Sequence, residues 1–298
     1  MRQLSRIRSL VFLLPLALLC GTAQAVTLTD DRGKELTLEQ PAARIVSLAP
    51  NLTELLFEAG AGDRLIGAVA YSDFPDAARR VPRIGEASRL NIEEILTLKP
   101  DLVVAWKTGN NREDYEKLER LGLKVYVLEP DRIARIPNII EDLGRLTGTG
   151  DVADRAADAF RVKYADLQRR YAGRTPVTVF YQIWERPLMT INGAHFISDV
   201  LRQCGGKNVF DSLPLLAPAV DLEAVIATDP QAILINASAG DPDNWRRWPT
   251  VTAARLGNIF IIHDDLISRP TSRLLDGMEQ LCDILNTARI RLSNDPRQ

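Results

Sequence analysis

Two stretches of the chain carry the same order of polar and apolar positions. Residues 91–105 read NIEEILTLKPDLVVA, residues 221–235 read DLEAVIATDPQAILI, and the two align without a gap. Each opens on a residue suited to cap a helix, Asn91 or Asp221, with glutamate in the first turn where it complements the helix dipole. Each runs through a short helix to a proline, Pro100 or Pro230, that ends it. Each then enters a short apolar run, 102–105 or 232–235, of the kind that forms a strand covered on both faces. A unit repeated 130 residues apart predicts two lobes of the same build.

Further apolar runs at 45–48 and 125–128 supply strands to the first half, with a helix over 51–60, and runs at 177–183 and 259–262 supply strands to the second. Strands alternating with helices predict an α/β fold: two three-layer lobes with central, mostly parallel sheets, their cores at roughly 44–130 and 175–291. Between them Val152, Ala156, Phe160, Tyr164, Leu167 and Tyr171 recur every three or four residues with charges between. That period predicts one long helix over 151–172. At 1.5 Å per residue it spans about 33 Å, the width of a small domain. One rigid helix joining both lobes allows slight rocking rather than the wide closure of a flexible linker. The competing arrangement is an ordinary helix packed on a single large sheet.

The first residues follow a different pattern. Arg2, Arg6 and Arg8 stand without an acid, an apolar run extends from Leu10 to Cys20, and Ala23-Gln24-Ala25 forms a small-x-small site. This is the three-part pattern of a cleaved secretory signal, and its apolar run is shorter than the ~20 residues of a membrane span. Leu19 precedes Cys20, where lipid attachment calls for a small residue. The expected organisation is a signal peptide over 1–25, an N-terminal lobe over 26–130, a linker with the backbone helix over 131–174, and a C-terminal lobe over 175–298. The mature protein is expected to be periplasmic and soluble.

At 298 residues, 46% hydrophobic and 26% charged, the composition is globular and excludes disordered and collagenous chains. The formal charge is −2, and loss of the three leader arginines leaves 34 bases against 39 acids, or −5. No basic balance supports nucleic acid as a partner. Cleavage leaves two cysteines, Cys204 and Cys282, which in an exported chain suggest one disulfide, with two buried free thiols as the alternative.

Chemistry-bearing motifs are sparse. There is no G-x-S-x-G elbow, P-loop or H-E-x-x-H, and Gly60-Ala61-Gly62 lacks the third glycine of a dinucleotide loop. The only histidines, His195 and His263, are too few for a zinc or manganese site. No catalytic residue, cofactor or metal is expected, and an exported enzyme with an unfamiliar site stands as the alternative of another class. Trp245 and Trp248, in Asn244–Pro249, suit either a ring-binding patch or a loop anchored by one indole.

Five segments together carry a resemblance: RIVSLAPNLTELLFEAG (44–60), YSDFP (71–75), NIEEILTLKPDLVVAW (91–106), CGGKNVF (204–210) and HDDLISRPTSR (263–273). Over about residues 43–290 the chain resembles the helical-backbone, or class III, periplasmic substrate-binding proteins of ABC importers. These are receptors for cobalamin, ferric siderophores and haem, and the chain is most similar to the cobalamin-binding members. The resemblance implies a monomer that captures a corrinoid between its lobes and presents it to an inner-membrane ABC permease. Glu93 and Glu223 match the two glutamates that dock onto permease arginines. Cys204 and Cys282 match the family's disulfide. Tyr71, Trp106, Asp265 and Arg269 match positions that line the cobalamin cleft, where a broad apolar ring edged with amides meets flat aromatic faces and a few polar groups. The chain departs from the family at Ala87 and Ala217, where tryptophans are usual, and at Met189, near a usual phenylalanine. Trp184, with Met189, is the expected replacement. Within the same fold, Arg186, Arg269 and Arg273 would serve a ferric siderophore, and Tyr71 would serve haem as an axial ligand.

Overall fold

The structure, a computed structural model, describes residues 25–297. The expected signal peptide, with Cys20, lies outside the described residues apart from Ala25. The first lobe opens with an antiparallel hairpin that the sequence pattern did not reveal, β1 (Val26–Thr29) and β2 (Glu35–Leu38). The expected alternation follows: β3 (Ile45–Ser47), α1 (Pro50–Glu58), β4 (Leu65–Ala68), a two-stranded ribbon of β5 (Gly85–Glu86) and β6 (Arg89–Leu90), α2 (Ile92–Leu98), β7 (Leu102–Trp106), α3 (Arg112–Arg120) and β8 (Val125–Leu128). Its sheet has the order β4-β3-β7-β8 and is parallel throughout.

Two helices, α4 (Ile136–Thr147) and α5 (Gly150–Tyr171), lead to the second lobe. There β9 (Val177–Gln182), α6 (Phe196–Gln203), β10 (Gly206–Asn208), α7 (Leu222–Thr228), β11 (Ala232–Asn236), α8 (Asp243–Arg246), α9 (Thr252–Arg255), β12 (Ile259–Ile262), α10 (Asp264–Ile267) and α11 (Leu274–Ser293) follow in turn. The second sheet has the order β10-β9-β11-β12, again parallel. Two separate four-stranded sheets replace the single large sheet of the competing arrangement.

Alternation along the strands makes three layers in each lobe. Val46, Val103 and Val125 enter one apolar cluster, while their neighbours Ile45, Leu102 and Tyr126 enter another on the opposite face. Phe180, Ile233 and Ile235 likewise point away from Val179, Tyr181 and Leu234. One cluster is shared: Ile45 and Leu102 from the first sheet, Phe160 and Leu167 from α5, and Val179 and Leu234 from the second sheet belong to a continuous core.

Helix α5 is fastened at both ends. In its first half, Gly144 of α4 lies so near Ala153 that an added β-carbon would sit 2.3 Å from it. Thr149 donates to the Ala59 carbonyl at 2.6 Å, and Arg161 pairs with Glu141 at 2.6 Å. In its second half, Lys163 and Arg170 pair with Asp276 and Glu279 of α11, and the Tyr171 hydroxyl donates to Asp283 at 2.8 Å. The apolar stripe differs from expectation at its start: Val152 is exposed and Ala153 and Ala157 are buried. Val152 covers Gly60, 2.9 Å from where a β-carbon there would lie, and the close crossing of α4 takes the smaller Ala153.

The duplicated unit folds twice in the same way. From residue 91 to 100 and from 221 to 230 the sequence of buried, half-buried and exposed positions is identical. Lys99 (φ +48°) and Asp229 (φ +42°) end α2 and α7 in the left-handed region, their N–H groups donating to Leu96 and Ile226. The caps differ: Asn91 accepts from the Glu94 N–H at 3.1 Å, whereas the Asp221 side chain caps nothing. Cys204, at the end of α6, is bonded to Cys282 in α11.

Candidate functional site

In parallel sheets ligands collect beyond the carboxyl ends of the strands, where loops are free to vary. Each expected cleft residue lies there. Tyr71 follows β4, Trp106 ends β7, Trp184 stands two residues past β9, and Asp265 and Arg269 follow β12. Of the large apolar side chains left in solvent, Tyr71, Phe74, Trp184, Leu215 and Leu216 lie on the loops after β4, β9 and β10, while Leu121, Val152, Val162, Ile261 and Ile290 lie elsewhere.

Tyr71 is 70% exposed and has φ +63°, a conformation costly for a bulky side chain. Its neighbours hold it. Ala70 donates to the Gly85 carbonyl at 2.8 Å, Arg83 donates to the Ser72 carbonyl at 2.7 Å, and the buried Ser72 hydroxyl accepts from Thr53 at 3.1 Å. The loop thus spends backbone strain to turn a phenol ring outward. Trp106 is half-buried. A β-carbon on Gly109 would lie 2.1 Å from its ring, so only glycine allows that close approach. Its indole N–H donates to Glu129 Oε1 at 3.0 Å, and Thr108 donates to the same oxygen at 3.0 Å. Oε2 of Glu129 is buried without a partner. Burial raises this carboxyl above its ordinary range, against the pull of the Trp106 and Thr108 hydrogen bonds.

On the second lobe, Trp184 is 52% exposed. It faces Met189 across a β-bridge, and Met189 faces Ala219 across another. Thr190 donates to the Pro218 carbonyl at 3.0 Å, so the departure at Ala217 lies on the strip paired with the Trp184–Met189 turn. The indole N–H of Trp184 donates to the Arg186 carbonyl at 3.1 Å. A groove of 220 Å³ runs beside the ring, lined by Glu185, Arg186, Ser238, Ala239 and Gly240. An adjoining groove of 420 Å³ shares Glu185 and Arg186 and reaches Leu222 and Trp248. The departure at Ala87 lies between β5 and β6, where its carbonyl accepts from Asn110 at 3.2 Å.

Arg269 has partners that its sequence neighbours did not suggest. Asp265 stands 3.8 Å away, the longest of its contacts. Its close partners come from the other lobe: Glu54 of α1 at 3.0 Å and Asp73 at 3.0 Å. Arg273 grips the same Glu54 at 2.6 and 3.0 Å and lies 3.9 Å over the Phe74 ring. Ser272 donates to Glu58 at 2.5 Å. Burial is the largest single influence on Arg269 and Asp73 and opposes charge on both, but their hydrogen bond and mutual attraction, joined by Glu54 at Arg269, together outweigh it. The guanidinium is held above its ordinary value and the carboxyl below. Glu58 is pushed up to about 7, chiefly by burial and further by Glu54, against the Ser272 hydrogen bonds.

Glu93 and Glu223 occupy matching exposed positions in the first turns of α2 and α7, away from this network. His195 serves as a helix cap. Its Nδ1 accepts from the Ile197 N–H at 3.2 Å, its ring stacks on Phe196, and burial lowers its pKa to about 4. Trp245 is a core residue, 5.3 Å from the Phe180 ring centroid with its N–H donated to Gln182 at 2.7 Å. Among the described residues no group of three or more His, Cys, Asp and Glu could hold a metal ion, and no helix is long and apolar enough to cross a membrane.

Sequence reasoning missed Glu54, Asp73, Phe74 and Glu129. Phe74 and Asp73 lay within YSDFP, and Glu54 within the first family segment. Only the folded chain shows that they answer arginines about 200 residues away (196 to 219).

Residues 45–266 match the family described as periplasmic binding protein. A vitamin B12-binding protein of Vibrio cholerae serotype O1 is 37% identical over 250 residues, 83% of this chain and 91% of that one. The crystal structure of the periplasmic vitamin B12 binding protein BtuF of Vibrio cholerae superposes with a TM-score of 0.79 at 37% identity, covering 84% of this chain and 98% of that one. The apo periplasmic haem-binding protein RhuT of Roseiflexus sp. RS-1 superposes with a TM-score of 0.72 at 21% identity over 83% of this chain and 99% of that one, a likeness of fold.

Proposed function

The chain belongs to the periplasmic binding protein family, and from that premise we propose that it captures cobalamin or a related corrinoid between its lobes and delivers it to an ABC importer. It is a binding protein rather than an enzyme, and family membership puts it in the periplasm. In this reading residues 1–25 direct export and are removed, and the mature chain acts as a monomer.

The observation that carries the ligand class is the fate of the arginines. An anionic ferric siderophore needs free guanidinium groups. Arg269 and Arg273 are held by Glu54 and Asp73, which leaves Arg186, 88% exposed beside its neighbour Glu185, as a single guanidinium in solvent. What the cleft offers instead is aromatic surface with acceptors at its edge. Tyr71, Trp106 and Trp184 supply flat faces for a corrin ring, and Asp265, with Asp73, accepts from its peripheral amides. Arg269 donates to an amide carbonyl while Glu54 holds it in place. Trp184 beside Met189 supplies the second-lobe aromatic that Ala217 lacks. Glu93 and Glu223 meet two equivalent basic sites on the permease, where such charges set register and capture rate.

The test is a calorimetric titration of protein beginning at Val26 with cyanocobalamin, cobinamide, haemin and ferric siderophores. Saturable one-to-one binding of the corrinoids, with the siderophores and haemin inert, is the expected outcome. Binding of haemin or a siderophore in their place would overturn the ligand assignment.

A further inference from the structure

Besides the shared apolar core and the Ile133 N–H that donates to Asp199 at 3.0 Å, two connections among the described residues join the lobes, and they differ in kind. One is α5, a single rod fastened to α4 and α11. A single rod fixes the distance between two bodies but leaves them free to turn about its axis. The other is the segment Arg269–Arg273, between α10 and α11 of the second lobe, seated on α1 and the loop after β4 of the first. A second tie off the axis of the rod opposes that rotation.

We propose that Glu54 is the positioning residue of this second tie: it sets the angle between the lobes, and so the width of the cleft, by holding Arg269 and Arg273 together. The carboxylate is 1% exposed. It accepts from Arg269 Nη1 at 3.0 Å and from Arg273 Nη2 at 2.6 Å on one oxygen, and from Arg273 Nε at 3.0 Å on the other. Both oxygens are therefore occupied by the opposite lobe. A buried carboxylate shared by two guanidinium groups gives little net stability over an apolar contact, but it tolerates only one geometry. Asp73 is different. Its side chain is half-exposed and it touches Arg269 alone. The tie thus has a permanent part at Glu54 and an exchangeable part at Asp73, where a ligand amide takes over a hydrogen bond. The proposal rests on the cleft being the ligand site, but the tie exists without ligand and is measured without it.

The measurement is pulsed electron paramagnetic resonance on ligand-free protein labelled at Lys117→Cys on α3 and Ala227→Cys on α7, both exposed positions, with Cys204 and Cys282 already paired. Glu54→Gln keeps the side-chain shape and removes the charge. It is expected to broaden the label-to-label distance distribution and to speed cyanocobalamin dissociation about tenfold, with association little changed. Glu54→Asp should recover only part of the sharpness, because the shorter side chain does not reach both arginines. Arg273→Lys is the second variant, in case Glu54→Gln does not fold. It keeps the charge, loses the two-point grip, and should broaden the distribution less. Distributions as narrow as wild type in Glu54→Gln or, where that variant does not fold, in Arg273→Lys would overturn the proposal. Broadening by Glu54→Gln in a wild-type background that binds no corrinoid would support the tie while overturning the ligand reading.

Discussion

Trp106 gives its indole N–H to Glu129 at 3.0 Å, so the aromatic face at the end of β7 is aimed by a carboxyl whose second oxygen has no partner. Glu129→Ala is expected to free the ring and weaken cyanocobalamin binding by about 1.5–3 kcal/mol, the cost of losing a hydrogen bond to a charged group. Glu129→Gln, which keeps an acceptor for Trp106 and Thr108, should recover most of the affinity. Titration calorimetry of the two variants decides it, and equal losses would show that charge matters more than aim.

Trp184 stands in solvent opposite Met189. Trp184→Ala should cost about 2 kcal/mol of corrinoid affinity, the scale of an aromatic anchor at a binding surface, with no change in melting temperature. Trp184→Ala combined with Ala217→Trp should restore part of the affinity, because the two positions lie on paired strips. An unaltered dissociation constant in Trp184→Ala would remove this residue from the site.

The matched acids predict a separation of capture from delivery. Reversing both Glu93 and Glu223 to lysine should abolish corrinoid uptake by cells while the purified protein keeps its dissociation constant. Each single reversal should leave partial uptake. Uptake at the wild-type rate in the double variant would dismiss the docking role.

Acid stability should reflect two opposed groups. Glu58 is raised in the folded state to about 7, so its contribution is fully present below the unfolded value near 4.5 and is lost as pH rises through about 7. His195 is lowered to about 4, so its contribution is present above the unfolded value near 6.5 and is lost as pH falls toward about 4. Between these limits they offset one another. Glu58→Gln should raise the unfolding free energy at pH 8 by about 1–3 kcal/mol and change it little at pH 4.5. Denaturation with urea across pH 4–8 tests the sign, and a stabilisation of equal size at both ends would refute it.

The disulfide closes a separation of 78 residues. The chain-entropy relation gives about 4–5 kcal/mol for that loop as an upper figure. Paired Cys204→Ser and Cys282→Ser changes should lower stability by about 2–4 kcal/mol and leave corrinoid affinity unaltered, because the bond lies between α6 and α11, away from the strand ends that carry Tyr71 and Trp106.

Much of the architecture was legible because periodicity reports burial. The helix expected over 151–172 is found over 150–171, and the strands at 125–128 and 259–262 fall where the apolar runs predict. What escaped was non-local. The β1–β2 hairpin has half-polar strands, so no apolar run announced it. Val152 fits the helical stripe but faces Gly60, which only the return of the chain makes visible. Asp265 lies four residues from Arg269, but folding gives that arginine Glu54 and Asp73 as its close partners. Local pattern fixes which residues reach a strand end. It does not say which partner waits there from the other lobe.

The identical burial of 91–100 and 221–230 has a statistical side. The two copies of the unit each present an exposed glutamate at the same place in the first turn of their helix, Glu93 on α2 and Glu223 on α7. Under the proposed docking role, a transporter with two equal basic sites would meet an acid whichever lobe arrived over which subunit. Neither approach is the wrong way round, so the search for a productive encounter has two solutions where a lopsided receptor would have one.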